Sequence, residues 1–425
     1  MKEKGIATAV IAVVIVVILV VAGLGVYFLI KTPEGRVPGA PITGDNMIRD
    51  GRFGGGGMPS TDFAAMQDLG VHWKRLSVGV DREIATSARP WEEDEKIIWM
   101  ENQIIQMQSY GVLGYVIINP RSQNGVWPTA QEIANTVKKL VERYDNDGEN
   151  DMPGLIYPIK VYEICNEVLL LGYPPPIGDD WHGFTYEMYL EYLQKSYQAL
   201  KEADPDAQLA CGAVVGPGNL TFDYVIDHGG SNYFDIFSYH AYEEYLQVDD
   251  LISYLENKGI GPSSANPKPI WLTESQFTGM LEEPPLDITQ EEAARRMVRS
   301  YVYAFAKGFT KLTPSELTEM PSWPEDSGLA WSTLIDRNGN KRPSYYAYRT
   351  LAAKLDYFTS VQELTQYQYK FIVDNKPVYV LWGTGSLPSE ITGTVKMTDI
   401  SGNEQEKQAS QITLGDNPIF IEPVG

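Results

Sequence analysis

The chain is poor in the residues that most metal and redox sites need. Its 425 residues include 4 His (His72, His182, His228 and His240), and no two of these lie within four positions of one another. That spacing excludes HExxH zinc sites and most histidine-rich metal sites. The 2 Cys, Cys165 and Cys211, form no CxxC and no disulfide framework, and read as two buried free thiols. GxSxG, P-loop and GxGxxG patterns are also absent. Positive charge is scarce: 34 Lys and Arg stand against 56 Asp and Glu, a formal charge of −22. A surface that acidic repels phosphate backbones and argues against a nucleic-acid partner. What is present suffices for a globular core, since 43% of residues are hydrophobic and 21% charged.

Charge is missing altogether from Ile6 to Ile30, a run of 25 residues between Lys2 and Lys4 on one side and Lys31 on the other. A helix of ~20 apolar residues already crosses the hydrocarbon of a bilayer. The apolar core of a cleavable signal peptide is ~7–15 residues, so residues 1–31 read as an uncleaved signal-anchor. The catalytic part would then be membrane-anchored outside the cytoplasm, and secreted if the segment is cleaved. The KGIATAV start also resembles archaeal pilin-like leader sequences. Residues 32–46 are rich in Pro and Gly and read as a linker.

From residue 47 short apolar runs alternate with amphipathic stretches. Strands are predicted at 46–53, 71–78, 112–119, 157–167, 208–216, 234–242, 269–275 and 309–316. Helices are predicted near 61–69, 93–109, 186–203, 222–228, 249–258 and 345–355. Two more start at Thr129, with Glu132 completing a capping box, and at Thr289, with Glu292 in the same relation. Eight such units in residues 47–358 predict an α/β fold, a (β/α)8 TIM barrel. From 359 to 425 the period changes to two, which predicts a small antiparallel β domain beside the barrel.

Catalytic groups in a TIM barrel sit at the C-terminal ends of strands. The fourth strand ends in Ile-Cys-Asn-Glu, bringing Asn166 and Glu167, and the seventh in Trp-Leu-Thr-Glu, bringing Glu274. An ionisable group closing an apolar strand is desolvated and needs a partner or a purpose. Two carboxylates facing each other are what retaining glycoside hydrolysis requires, one to protonate the departing oxygen and one to attack the anomeric carbon.

Asn-Glu on strand four and a second Glu on strand seven resemble the clan A glycoside hydrolases, which include cellulases, mannanases, β-xylosidases and β-galactosidases. The resemblance spans residues 47–358 and implies Glu167 as acid/base, Glu274 as nucleophile and Asn166 as a partner of the sugar 2-hydroxyl. It further implies that Arg75, on strand two, holds the nucleophile ionised, and that His240 and Tyr242 supply the clan's His-x-Tyr of strand six. Asn119, which closes strand three, joins the expected sugar-binding set. Two departures stand out: Val168 follows Glu167 where Pro is common, and strand eight (TKLTPSE) has no Trp beneath the reacting sugar. Trp331, in the following loop, is the expected replacement.

The implied activity is retaining β-glycoside hydrolysis of an oligo- or polysaccharide, with no cofactor in the chemistry. Two alternatives stay open: a glycan-binding barrel without turnover, and a transglycosylase using the same residues. The abundance of Tyr (26) and Trp (9) fits an aromatic-lined sugar site. Trp127, Trp181, Trp323 and Trp331 fall in expected strand-to-helix loops, where a ring either stacks on a sugar or simply packs. The glycine run 54–57 reads either as a close backbone approach to a ligand or as a flexible loop. Finally Asp145, Asp147, Glu149 and Asp151 alternate around a glycine, as oxygen ligands of a structural calcium would; a solvated acidic loop reads equally from the same residues.

Overall fold

The computed structural model describes residues 51–56, 62–86, 91–168, 183–216, 220–277, 288–323 and 328–424. The expected signal-anchor (residues 6–30), the linker and Trp181 lie outside them. Among the described residues no helix is long and apolar enough to cross a membrane. One compact unit runs from Ile48 to Gly425.

Its barrel strands are β1 (Trp73–Val80), β2 (Leu113–Pro120), β3 (Val161–Ile164), β4 (Gln208–Ala210), β5 (Val214–Val215), β6 (Phe237–Ala241), β7 (Ile270–Ser275) and β8 (Phe309–Leu312). All neighbouring pairs are parallel, in the orders β1-β2-β3-β4 and β5-β6-β7-β8. Two seams join these sheets into a closed ring. At one, Ala210 bridges Ile236; at the other, Phe53 bridges Leu312 and Gly54 bridges Trp73. Residues 52–55 are therefore the first barrel strand, and β3 is the fourth. Helices lie between successive strands, as in a (β/α)8 barrel.

The closing strand explains Gly54, the first glycine of the run. A Cβ on Gly54 would lie 2.8 Å from the Trp73 ring and 2.9 Å from Thr313. Gly54 thus serves strand-to-strand contact at the seam, in place of the ligand contact or loop flexibility expected from sequence.

Local chemistry sets the helix ends as read from sequence. Thr129 and Glu132 form the full capping box of helix Ala130–Tyr144, and Thr289 accepts from the Glu292 amide at the start of Gln290–Ala306. Several expected strands are shorter than predicted, among them 234–242 and 309–316, which hold only Phe237–Ala241 and Phe309–Leu312. The 157–167 strand holds its ladder only over Val161–Ile164, because Cys165 (φ 69°) and Glu167 (φ 50°) turn left-handed. The 208–216 strand breaks at 211–213, where the Gly212 and Ala213 amides turn to the Tyr189 hydroxyl and to Glu163.

The barrel interior is filled in layers. Trp73, Tyr115, Ala210, Ile236 and Trp271 form the lowest, with the Lys311 ammonium 5.1 Å from the Trp271 ring. Arg75 and Glu163 lie above them, fully buried. The strand ends carrying Asn166, Glu167 and Glu274 come next.

The C-terminal region is one six-stranded antiparallel sheet of β9 (Ser360–Thr365), β10 (Gln368–Val373), β11 (Lys376–Leu381), β12 (Thr394–Asp399), β13 (Glu404–Gln408) and β14 (Ile419–Pro423), in the order β13-β12-β14-β11-β10-β9. One face of it, through Tyr369, Phe371, Val378, Val380 and Phe420, belongs to the barrel's own hydrophobic core. The other covers a smaller core around Tyr379, Leu381, Val395 and Ile421.

Candidate active site

Six of the predicted residues converge at the C-terminal mouth of the barrel. Arg75 on β1 is the hub. Its Nη1 donates to Glu274 Oε1 at 2.8 Å, and its Nη2 donates to Asn166 Oδ1 at 2.8 Å. Nη1 also lies 3.3 Å from His240 Nε2. Because a guanidinium only donates, His240 Nε2 must accept there, which puts the imidazole proton on Nδ1. That proton is directed at Glu167 Oε1, 2.8 Å away.

The Tyr242 hydroxyl lies between the two glutamates, 2.9 Å from Glu167 Oε1 and 3.2 Å from Glu274 Oε2. It has one proton to give and two acceptors, so it serves one carboxylate at a time. One oxygen from each of Glu167 and Glu274, together with a His240 nitrogen, lie within 4.8 Å of one another. Such a trio would also suit a divalent cation, but the Arg75 guanidinium among them already supplies positive charge.

Strand geometry produces this convergence. In the β6–β7 ladder His240 stands directly opposite Glu274, after a register shift between Tyr239 and His240. Bulges of this kind re-aim side chains next to functional sites. Asn166 is flanked by the two left-handed residues Cys165 and Glu167, a conformation costing ~1–3 kcal/mol at each non-glycine position. Asn119 secures the bend: its Oδ1 accepts from the Asn166 amide at 2.8 Å and its Nδ2 donates to Ser77 Oγ at 3.0 Å. Its amide thus holds Asn166 in place.

Electrostatics divide the carboxylates. Burial pushes the Glu167 carboxyl up, but the hydrogen bonds from His240 and Tyr242 outweigh it and hold the group below the usual glutamate range. For Arg75 burial opposes the charge, while the Glu163 and Glu274 carboxylates prevail and keep it firmly protonated. Burial and the neighbouring Glu274 charge push the Glu316 carboxyl up to about 9. Burial lowers the Lys74 ammonium to about 8, against the pull of Glu316.

Glu163 and Glu316 were not singled out by strand-end reading. Glu316 lies beyond β8, in the TPSE segment that the sequence marks only for its missing Trp. Glu163 lies in the middle of β3; its signal was an acid inside an otherwise apolar strand.

Trp331 is half-buried in the short helix Gly328–Ser332, where its carbonyl accepts from Gln290 Nε2 and Arg342 Nη1. Trp127 is buried and packs on Phe184 at 4.8 Å, so it belongs to the core. Trp323 is half-buried, with its carbonyl bound by Arg337. Cys165 and Cys211 are buried free thiols. In the acidic loop Asp145, Asp147 and Asp151 bring carboxylate oxygens within 4.8 Å of one another, and Glu149 stands outside that group. Loop amides bond one oxygen of each: Asp147 N on Asp145, Glu149 N on Asp147, and Gly148 N on Asp151, while Asp151 Oδ1 is buried with no hydrogen-bond partner among the described residues.

No protein-family model matches the sequence. No curated protein matches it either. Solved structures do resemble it. A family 39 glycoside hydrolase from Bacteroides cellulosilyticus WH2 is 16% identical, with 87% of this chain and 80% of that one aligned at a TM-score of 0.62. A family 39 β-xylosidase from Caulobacter crescentus is 13% identical over 91% of this chain and 98% of that one, at 0.58. An α-L-arabinofuranosidase from Thermotoga maritima is 16% identical over 85% and 89%, at 0.52. At such identities the likeness is one of fold: the chain has the barrel with C-terminal β-sheet found in these clan A glycoside hydrolases.

Proposed function

We propose that the chain is a retaining β-glycoside hydrolase of oligo- or polysaccharide, held outside the cytoplasm by the charge-free segment 6–30. The observation that carries this reading is the approach of Glu167 and Glu274, whose oxygens come within 4.8 Å through their shared neighbours Tyr242 and His240. Retaining enzymes hold their carboxyl groups ~5–5.5 Å apart, whereas inverting enzymes leave ~6.5–9.5 Å for a water.

In this reading Glu274 attacks the anomeric carbon with its Oε2 while Arg75 holds its Oε1. Glu167 gives its proton to the departing oxygen and then takes one from the water that releases the sugar. Among the described residues hydrogen bonds fall only on Glu167 Oε1, which leaves Oε2 for the glycosidic oxygen. Asn166, oriented by Arg75 and Asn119, meets the 2-hydroxyl. No cofactor enters these steps.

The test is turnover by the full-length protein in mild detergent, against aryl β-glycosides, aryl α-L-arabinofuranosides and a polysaccharide panel. Activity should fall by at least ~1,000-fold in both Glu167→Gln and Glu274→Gln, with retained anomeric configuration in the parent by NMR. Activity that survives either substitution would overturn the site assignment. Glycan binding without turnover across the panel would make the chain a binding protein.

A further inference from the structure

Glu163 has no part in the two displacement steps, yet its surroundings are built with care. It lies four residues before Glu167, in the middle of β3, and is wholly buried. A carboxylate there carries a heavy desolvation penalty unless donors surround it. They do. Arg75 Nη2 lies 3.2 and 3.3 Å from its two oxygens, the Ala213 amide donates at 3.0 Å, and the Ser238 hydroxyl lies at 3.4 Å. The Tyr115 hydroxyl donates to Oε2 as well. These donors come from β1, from the break between β4 and β5, from β6 and from β2. The Arg75 guanidinium thus lies between two carboxylates, with Nη2 on Glu163 and Nη1 on Glu274, and neither Arg75 nor Glu163 has any exposed side chain.

A guanidinium that meets two carboxylates away from water divides its field between them. A single counter-ion would satisfy Arg75; a second, fixed by three further donor groups, also sets how much charge reaches the first. We infer that Glu163 is a positioning residue for the proposed hydrolysis, holding the plane of the Arg75 guanidinium and absorbing part of its charge so that Glu274 stays ionised yet nucleophilic. The inference rests on the glycoside-hydrolase reading above.

Other charged and titratable groups face the same place. His240 and Tyr242 approach Glu274 from β6, and Glu167 lies across from it on the far side of Tyr242. Glu316, beyond β8, is held protonated by burial and by the Glu274 charge, and Lys74 on β1 interacts with it. All of these stay unchanged when Glu163 alone is altered, so a shift in the pH profile reads Glu163.

The experiment is the pH dependence of kcat and kcat/KM in the full-length protein carrying Glu163→Gln or Glu163→Asp. The amide keeps an acceptor for Arg75 and removes the charge. Arg75 then acts on Glu274 undivided: the acid limb of kcat/KM should move ~0.5–1 pH unit lower, and kcat should fall ~10–100-fold with KM nearly constant. Glu163→Asp, which keeps the charge, should return the acid limb to its original position. An unmoved limb in Glu163→Gln, or the same displacement in both variants, would overturn the inference.

Should Glu163→Gln fail to fold, Tyr115→Phe reads the same network. Losing that donor throws more of the Glu163 charge onto Arg75, and the acid limb should rise; an unmoved limb would overturn the inference there too. Glu274→Gln separates the two levels. If it retains activity, the hydrolase reading fails whatever the Glu163 variants do.

Discussion

Tyr242 donates to Glu167 and His240 does the same, and together they hold that carboxyl ionised despite its burial. An acid that must give a proton in the first step is therefore protonated only at low pH. The alkaline limb of kcat/KM should accordingly lie on the acid side of neutral. Removing a donor that favours the charged form raises a carboxyl pKa, so Tyr242→Phe should move this limb to higher pH while lowering kcat ~10-fold or more. A limb that stays put in Tyr242→Phe would mean that Tyr242 does not act on Glu167. Asn166, Glu167 and Glu274 were legible in sequence because they end short apolar runs that could be counted, whereas Arg75, inside β1, and His240 and Tyr242 came from the resemblance to clan A. Glu163 and Glu316 came from neither. One sits inside a strand and the other past the end of one, where position along the chain says nothing about what faces inward.

Among the elements, the loop after helix Ala130–Tyr144 is where sequence left two readings. Asp145 is pushed up to about 6 by burial and by its neighbours Asp147, Glu142 and Asp151. Its folded pKa thus lies above its unfolded value, so the folded state binds the extra proton and stability falls as pH rises through the interval from about 4 to about 6. Asp145→Asn should abolish that part of the pH dependence of the melting temperature. Each of the three clustered carboxylates already accepts one loop amide, and EDTA should leave the melting temperature unchanged; a fall of several degrees would assign a bound cation. Helix caps at Thr129 and Thr289 were readable because capping is a local, side-chain-to-backbone event. Strands β9 and β13 were not. Both are edge strands of largely exposed, polar residues, SVQELT and EQEKQ, and without apolar alternation an edge strand resembles a loop.

At the scale of the whole molecule, barrel and terminal sheet share one core. Phe358, where the chain leaves the barrel, packs on Phe305 at 5.0 Å and on Phe371 of β10 at 5.1 Å. The Arg52 guanidinium from the closing strand lies 3.8 Å from the Phe358 ring and donates to its carbonyl at 2.6 Å. The unit Ile48–Gly425 should therefore melt in a single transition. Phe371→Ala should lower that transition as a whole, by ~3–5 kcal/mol of stability. Two separate transitions, with only one moved by Phe371→Ala, would show the sheet to be energetically independent. The alternation of eight strand–helix units made the barrel legible, since a period of that kind has few other solutions. What the period could not convey was closure, because the first strand is only residues 52–55 and holds the ring through isolated bridges.

The most direct measurement is to trap the glycosyl-enzyme intermediate. A 2-deoxy-2-fluoro glycoside with a good leaving group, of the sugar chosen by the substrate panel, should inactivate the full-length protein with one glycosyl group attached. Peptide mass spectrometry should place that group on Glu274. A label on Glu167 or any other residue, or turnover with inverted configuration and no adduct, would contradict the double displacement proposed for this site.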